Sequence, residues 1–367
     1  MKNCDQKTKF YNPNKFNGLD GAICFIIALL VLTFGSAYIS YAFKDFFKSL
    51  LNFDTYAYMC LSVFISQTLL FIVVAVFSLI KRVNPITGGG YKVKWDGVQI
   101  LMAILLTVGS MMLFYFTHLE LTKFAGHFYG GINDIPQNFS PLTPLFTLLY
   151  IVEISVLPAF IEEIIFRGTV MKGFSEFGGL FAVVCSSVAF SLMHGSFNQM
   201  LLQFIGGLVI GAVVMITKNF LLGMLMHFTN NLFSIVYAFY VTPIFDGSIG
   251  SNVSAVLGGA TIILGAVFFL TGIIYFGSML VEKEKTKALG KSVENKYEKK
   301  RTYALKTEGQ IIVADFERSP DYYSGEQTRY YIFGKFRKMN FKSPKKLTFI
   351  LIGVGIAFAI ICIYFGL

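Results

Sequence analysis

Charge is scarce in this chain. Asp, Glu, Lys and Arg make up 14% of its 367 residues, against about 25% in soluble globular domains, and the hydrophobic share of 55% exceeds the usual 45 to 50% or so. A water-soluble domain is thereby excluded. Tryptophan is almost absent, Trp95 being the only one. The five cysteines, Cys4, Cys24, Cys60, Cys185 and Cys362, are scattered with no paired spacing, which rules out a disulfide framework and a zinc ribbon. No Gly-rich phosphate loop and no internal repeat occurs. The HExxH pattern of zinc peptidases is missing as well.

Long apolar runs are what the sequence has instead. A membrane span needs about 20 largely apolar residues, and segments near 21–43, 58–80, 98–117, 143–166, 178–195, 199–217, 220–240, 257–281 and 347–366 qualify. The first run is too long for the core of a signal peptide and reads as a retained span. Forty Phe and 19 Tyr suit lipid-facing surface and interfacial belts. The expected fold class is an all-α polytopic membrane protein, a bundle of about eight to nine transmembrane helices. Lys81, Arg82, Lys92 and Lys94 follow the second run, Lys172 the fourth and Lys218 the sixth. This alternation of basic loops places the amino terminus in the cytoplasm and the carboxyl end outside.

Residues 282–346 differ in kind, with 17 Lys and Arg against 9 Asp and Glu, so +8 of the chain's +10 lies here. They read as a small cytoplasmic basic appendage: a charged helix through Arg301, then short strands over Gln310 to Phe316 and Arg329 to Phe336. Setting topology and binding lipid headgroups is one role for it. A docking site for a regulatory partner is the other. Nucleic acid is not expected, because no aromatic-interleaved recognition motif accompanies the charge. The organisation is then a cytoplasmic segment 1–20, amino-terminal helices 21–142, a core 143–240, a further helix 241–281, the appendage 282–346 and a last helix 347–367.

Against so little charge, a polar cluster inside the apolar core stands out. Glu162 and Glu163 are adjacent, and Arg167, His194, His227 and Asn231 follow on this and two further hydrophobic segments. Each such group is costly in a bilayer, about 2.5 to 3.5 kcal/mol on insertion scales, which makes the cluster a functional site by default. On a helix, Glu163 and Arg167 share a face as i and i+4, while Glu162 is rotated about 100° away. Glu163 can thus be neutralised by Arg167, leaving Glu162 without a local cation and suited to act as general base for water. Phe190 and His194 are likewise i and i+4, as are His227 and Asn231. Asn231 donates but cannot serve as a base, which fits stabilising an oxyanion, and His227 could assist it. Glu153 faces nearly the same way as Glu162 and either extends the polar cavity or snorkels to an outer rim.

The run Glu162 to Gly168, then Phe190 to His194, then His227 to Asn231, resembles the three signature motifs of the CAAX-protease and bacteriocin-processing (CPBP, also called Abi) family of intramembrane endopeptidases, related to the type II CAAX prenyl endopeptidase. The resemblance covers about residues 143–240. It implies hydrolysis of a peptide bond, with Glu162 activating water, His194 helping, and His227 and Asn231 binding the oxyanion. Glu163 and Arg167 hold the motif in shape, with Phe190 beside them. A membrane-associated peptide or protein is the implied substrate: prenylated proteins in eukaryotes, signal or leader peptides among bacterial relatives, in a bacterial plasma membrane. Some family members are instead non-catalytic scaffolds that bind a sensor kinase or cell-wall enzyme, and a transporter is a third class, although inverted repeats are missing.

No cofactor is expected. Zinc is the alternative, since Glu162, His194 and His227 could form a two-His, one-carboxylate set; no acidic partner behind either His is apparent in the sequence. Depth poses a difficulty. Helices ending near residues 170 and 220 put Glu162 and His227 about 10 to 12 Å deep, whereas His194 falls about 24 Å along a segment starting near Gly178. Either residues 168–179 dip into the membrane as a broken or re-entrant element or the segment boundaries differ; the expectation is irregular backbone at Gly168, Gly173, Gly178 and Gly179.

Overall fold

A computed structural model of the chain describes residues 16–50, 55–81, 83–86, 91–129, 148, 150–195, 197–237, 251–308, 331–332, 335–336 and 344–365, for some of these the backbone alone. The chain is built of helices. We number them α1 (Gly18–Leu30), α2 (Thr55–Lys81), α3 (Gly97–Tyr129), α4 (residues 152–177), α5 (Gly179–Met193), α6 (Phe197–Thr217), α7 (Phe220–Val236), α8 (Ser251–Glu308) and α9 (Lys345–Phe365). Six helices are long and apolar enough to cross a membrane, in α1, α2, α3, α6, α8 and α9, and α5 and α7 are shorter apolar helices. The protein is an integral membrane protein of all-α class.

The helices follow the apolar runs because in hydrocarbon every backbone N–H must be satisfied within the segment. Polar ties gather at one end of the bundle. Asn17 and Asp20 form a capping box on α1, Lys81 pairs with Asp20 at 2.6 Å, and the Gly18 amide donates to Glu176 Oε2 at 2.9 Å. α1, α2 and α4 are thus fastened together. α9 lies on α1, where Gly355 leaves room for the Phe25 ring that a Cβ would approach to 2.8 Å.

α4 is where the structure departs from expectation. It is wound as π-helix over Val152–Val156, α-helix over Leu157–Glu163, π-helix again over Ile164–Met171, and then Lys172–Phe174 and the 3-10 turn Ser175–Phe177. It therefore does not end near residue 166 or 170. Glu162 lies 15 positions before Phe177, and His194 directly follows the 15-residue α5. Both lie about 22 Å from the α4–α5 turn, and the depth discrepancy vanishes. Of the four glycines, Gly168 lies in the π-helical stretch and Gly178 breaks the chain with φ +118, a conformation that favours glycine, while Gly173 and Gly179 lie in α-helical turns. Gly168 and Gly173 serve close approach, since a Cβ would come within 2.7 Å of Pro85 O and 2.5 Å of Asn17 O.

His227 is only seven positions past Phe220, about 10 Å along α7, so the α6–α7 turn lies deeper than the α4–α5 turn. The loop between α2 and α3 rises to meet it. Lys92 donates its amide to Lys218 O at 2.9 Å and accepts from Phe220 N at 2.8 Å, and Asn219 Nδ2 donates to Lys94 O at 2.8 Å. Tyr91, buried, sets its ring 6.2 Å from that of Phe220. Burial pushes its phenol well above the ordinary value, with Arg167 opposing and Glu163 adding to the shift. This loop therefore reaches the underside of the polar cluster.

In the appendage, α8 carries helical backbone through Glu308, and Tyr331–Ile332 pairs antiparallel with Lys335–Phe336. The strand expected over 310–316 lies outside the described residues. The third apolar run was expected to end near 117; helical backbone continues to Tyr129.

Candidate active site

Glu162 and Glu163 close the regular part of α4, immediately before its second π-helical stretch. Both are buried, Glu162 at 5% exposure and Glu163 at 0%, so neither faces lipid. Arg167, itself buried, places Nη1 2.6 Å from Glu163 Oε1 and donates from Nη2 to Gly207 O on α6 at 3.3 Å. The pairing of Glu163 with Arg167 anticipated from their spacing is present, and among the described residues no Lys or Arg pairs with Glu162.

Aromatic packing joins the segments. The Phe190 ring meets those of Phe166 (5.1 Å), His194 (4.9 Å) and His227 (5.4 Å) edge on, and the Arg167 guanidinium lies 5.0 Å from its centroid. Four of its neighbours are therefore site residues or adjoin them, which explains a large ring at this position.

The two imidazoles are oriented differently. His194 caps α5 just before Gly195, whose φ of +62 ends the helix. Its Nδ1 lies 2.8 Å from Phe190 O. A carbonyl only accepts, so Nδ1 carries the proton and Nε2 of the neutral ring is left as an acceptor. Glu162 and His227 are both close enough to act on this ring electrostatically. His227, on α7, directs Nδ1 to Glu163 Oε1 at 3.0 Å and Nε2 toward Glu162 Oε2 at 3.9 Å. An acidic partner behind an imidazole, not apparent in the sequence, is thus present: it is Glu163. Gly223, one turn before His227, permits this approach, because a Cβ there would lie 3.0 Å from Glu163 Oε2.

Asn231 lies on the His227 face of α7, donating from Nδ2 to Ile154 O in the first π-helical stretch of α4 at 3.0 Å and accepting from Asn230 Nδ2 at 3.2 Å. One N–H of its amide is left over. Glu153, adjacent to Ile154, has a buried Oε2 with no hydrogen-bond partner among the described residues. One contact had no counterpart in the sequence reading: Gln67, on α2, donates from Nε2 to Glu162 Oε1 at 2.7 Å, both groups buried. Glu162 Oε2 is buried and accepts no hydrogen bond among the described residues.

Residues 144–233 match the family described as Type II CAAX prenyl endopeptidase Rce1-like. Over this segment the chain is similar to that family. The match contains all the clustered residues except Gln67, and the family is one of peptidases, which supports a hydrolase of peptide bonds. No curated protein and no solved structure matches the chain.

Zinc would have to be held by Glu162, His194 and His227. Among the described residues, no group of three His, Cys, Asp or Glu side chains is placed to hold a metal ion. The 3.9 Å from His227 Nε2 to Glu162 Oε2 also exceeds the separation of about 3.3 Å subtended by two tetrahedral ligands at zinc distances. As placed, the residues do not fit that metal.

Proposed function

We propose that the Rce1-like segment is a metal-free intramembrane endopeptidase that hydrolyses a peptide bond of a membrane-associated peptide or protein with water activated by Glu162. The observation that carries the reading is the free, buried Oε2 of Glu162, 3.9 Å from His227 Nε2, in a segment where the neighbouring acid is already neutralised.

A water in that gap gives a proton to Glu162 Oε2 as its oxygen attacks the scissile carbonyl. His194 Nε2, an acceptor, orients the same water. The carbonyl oxygen becomes an oxyanion that receives the spare N–H of Asn231 and, when the ring is doubly protonated, the Nε2–H of His227. Glu163, held between Arg167 and His227, fixes the imidazole, as the buried carboxylate of a serine-peptidase triad does. Glu162 then returns its proton to the leaving amine, and the C–N bond breaks.

The favoured substrate is a signal or leader peptide of a bacterial plasma membrane, cut in a cavity among α4 to α7, with the amino terminus of the enzyme in the cytoplasm. Purified protein in liposomes is expected to cleave membrane-anchored peptides, with the Glu162→Gln variant folded and inactive. Equal cleavage by that variant removes Glu162 as the base.

A further inference from the structure

The sequence pattern that marks the site is confined to α4, α5 and α7, yet the strongest hydrogen bond to its free acid comes from α2. Gln67 is 7% exposed on a helix of mean composition apolar enough to cross the membrane over Cys60–Lys81. An amide buried in such a helix is costly unless it is bonded. Its Nε2 reaches Glu162 Oε1 at 2.7 Å, at the short end of the N–H···O range. Among the described residues it is the one donor hydrogen-bonded to Glu162, and it lies far outside the matched segment 144–233.

We infer that Gln67 is a positioning residue for Glu162: its N–H holds Oε1 so that Oε2 is the oxygen presented to water. This rests on the peptidase reading above. The geometry supports a directional role. A carboxylate has two equivalent oxygens, and rotation about its last bond exchanges them. With Oε1 tied to α2, the remaining oxygen faces His227 Nε2. The Gln67 Oε1 atom is itself buried without a donor among the described residues, so a second hydrogen-bond donor, such as a water, has an acceptor waiting beside the same carboxylate. A base displaced by about 1 Å loses roughly a hundredfold in rate.

The test compares full-length wild type with Gln67→Met, which keeps the volume and removes the donor, and Gln67→Asn, which keeps the amide but shortens its reach. Both are assayed in liposomes on membrane-anchored peptides. The expected result is a fall in kcat of about tenfold to a hundredfold with KM within about twofold, as for loss of an interaction made at the reacting centre. A second readout needs no substrate. Dicyclohexylcarbodiimide attacks the protonated acid, which a donated N–H disfavours, so mass spectrometry should find severalfold more label on Glu162 in both variants than in wild type. Unchanged kcat together with unchanged labelling overturns the inference, as does a rise in KM alone. If wild type cleaves no peptide, the peptidase reading fails, and the labelling alone decides whether Gln67 holds Glu162. If Gln67→Met does not fold, Gln67→Asn carries both measurements.

Discussion

Arg167 and His227 converge on a single oxygen: Nη1 of the one stands 2.6 Å, and Nδ1 of the other 3.0 Å, from Glu163 Oε1. Two adjacent acids in one apolar helix are thereby separated into different environments. Each keeps a buried Oε2 without a hydrogen-bond partner among the described residues, but Glu163 has Arg167 on its other oxygen, whereas Glu162 has the neutral amide of Gln67.

Glu163 is accordingly expected to matter for stability before chemistry. Arg167→Met strands a buried carboxylate and should cost about 3 to 5 kcal/mol, read as a lower midpoint in thermal or detergent unfolding. Coupled replacement of both partners, Glu163→Leu with Arg167→Met, should recover part of that loss while activity stays absent.

Asn231 is the expected oxyanion donor. Asn231→Ala should lower kcat about 10²- to 10³-fold with little change in KM, measured on a membrane-anchored peptide. A change confined to KM would assign the amide to substrate binding.

Gly223→Ala tests whether α7 must lie against Glu163. The added methyl meets Val214 at 2.7 Å and Glu163 Oε2 at 3.0 Å. Overpacking of this kind costs about 1 to 3 kcal/mol, and the shift should lengthen the His227 to Glu163 contact, with activity falling more than stability. Full activity in the variant would show that the contact tolerates displacement.

Metal independence is expected of the cleavage reaction. Exhaustive chelation should leave the rate unchanged, and purified active protein should hold no stoichiometric zinc. Chelator inactivation reversed by added zinc would overturn the water-on-glutamate mechanism.

The apolar runs made the helices legible, because length and composition suffice to mark a membrane-crossing segment. The Glu163–Arg167 pair and the edge-on contact of Phe190 with His194 were legible too, both being i, i+4 relations. The extent of α4 was not. Its π-helical winding leaves no compositional trace beyond Gly168, which lies within it, and Gly173, expected to mark irregular backbone, is a point of close packing in an α-helical turn. Gln67 and Gly223 were invisible for another reason. Each acts across helices, Gln67 over 95 positions, and periodicity within one segment carries no record of a partner in another. The carboxylate behind His227 escaped notice likewise, because Glu163 appeared to be used up by Arg167 while its Oε1 accepts from both.

The wide winding of Ile164–Met171 bears on how this chain tolerates change in length. A π-helical turn takes up one more residue than an α-turn, so deleting a single residue there lets the backbone relax to ordinary pitch. The facing of everything downstream is then kept, whereas a one-residue insertion has no such slack and would swing it by about 100° about the axis relative to Glu162 and Glu163, carrying Gly173 away from Asn17 and the anchor at Glu176 off the start of α1. Within 164–171 a one-residue deletion is thus expected to be far better tolerated than a one-residue insertion, although neither changes the hydrophobic character of the chain.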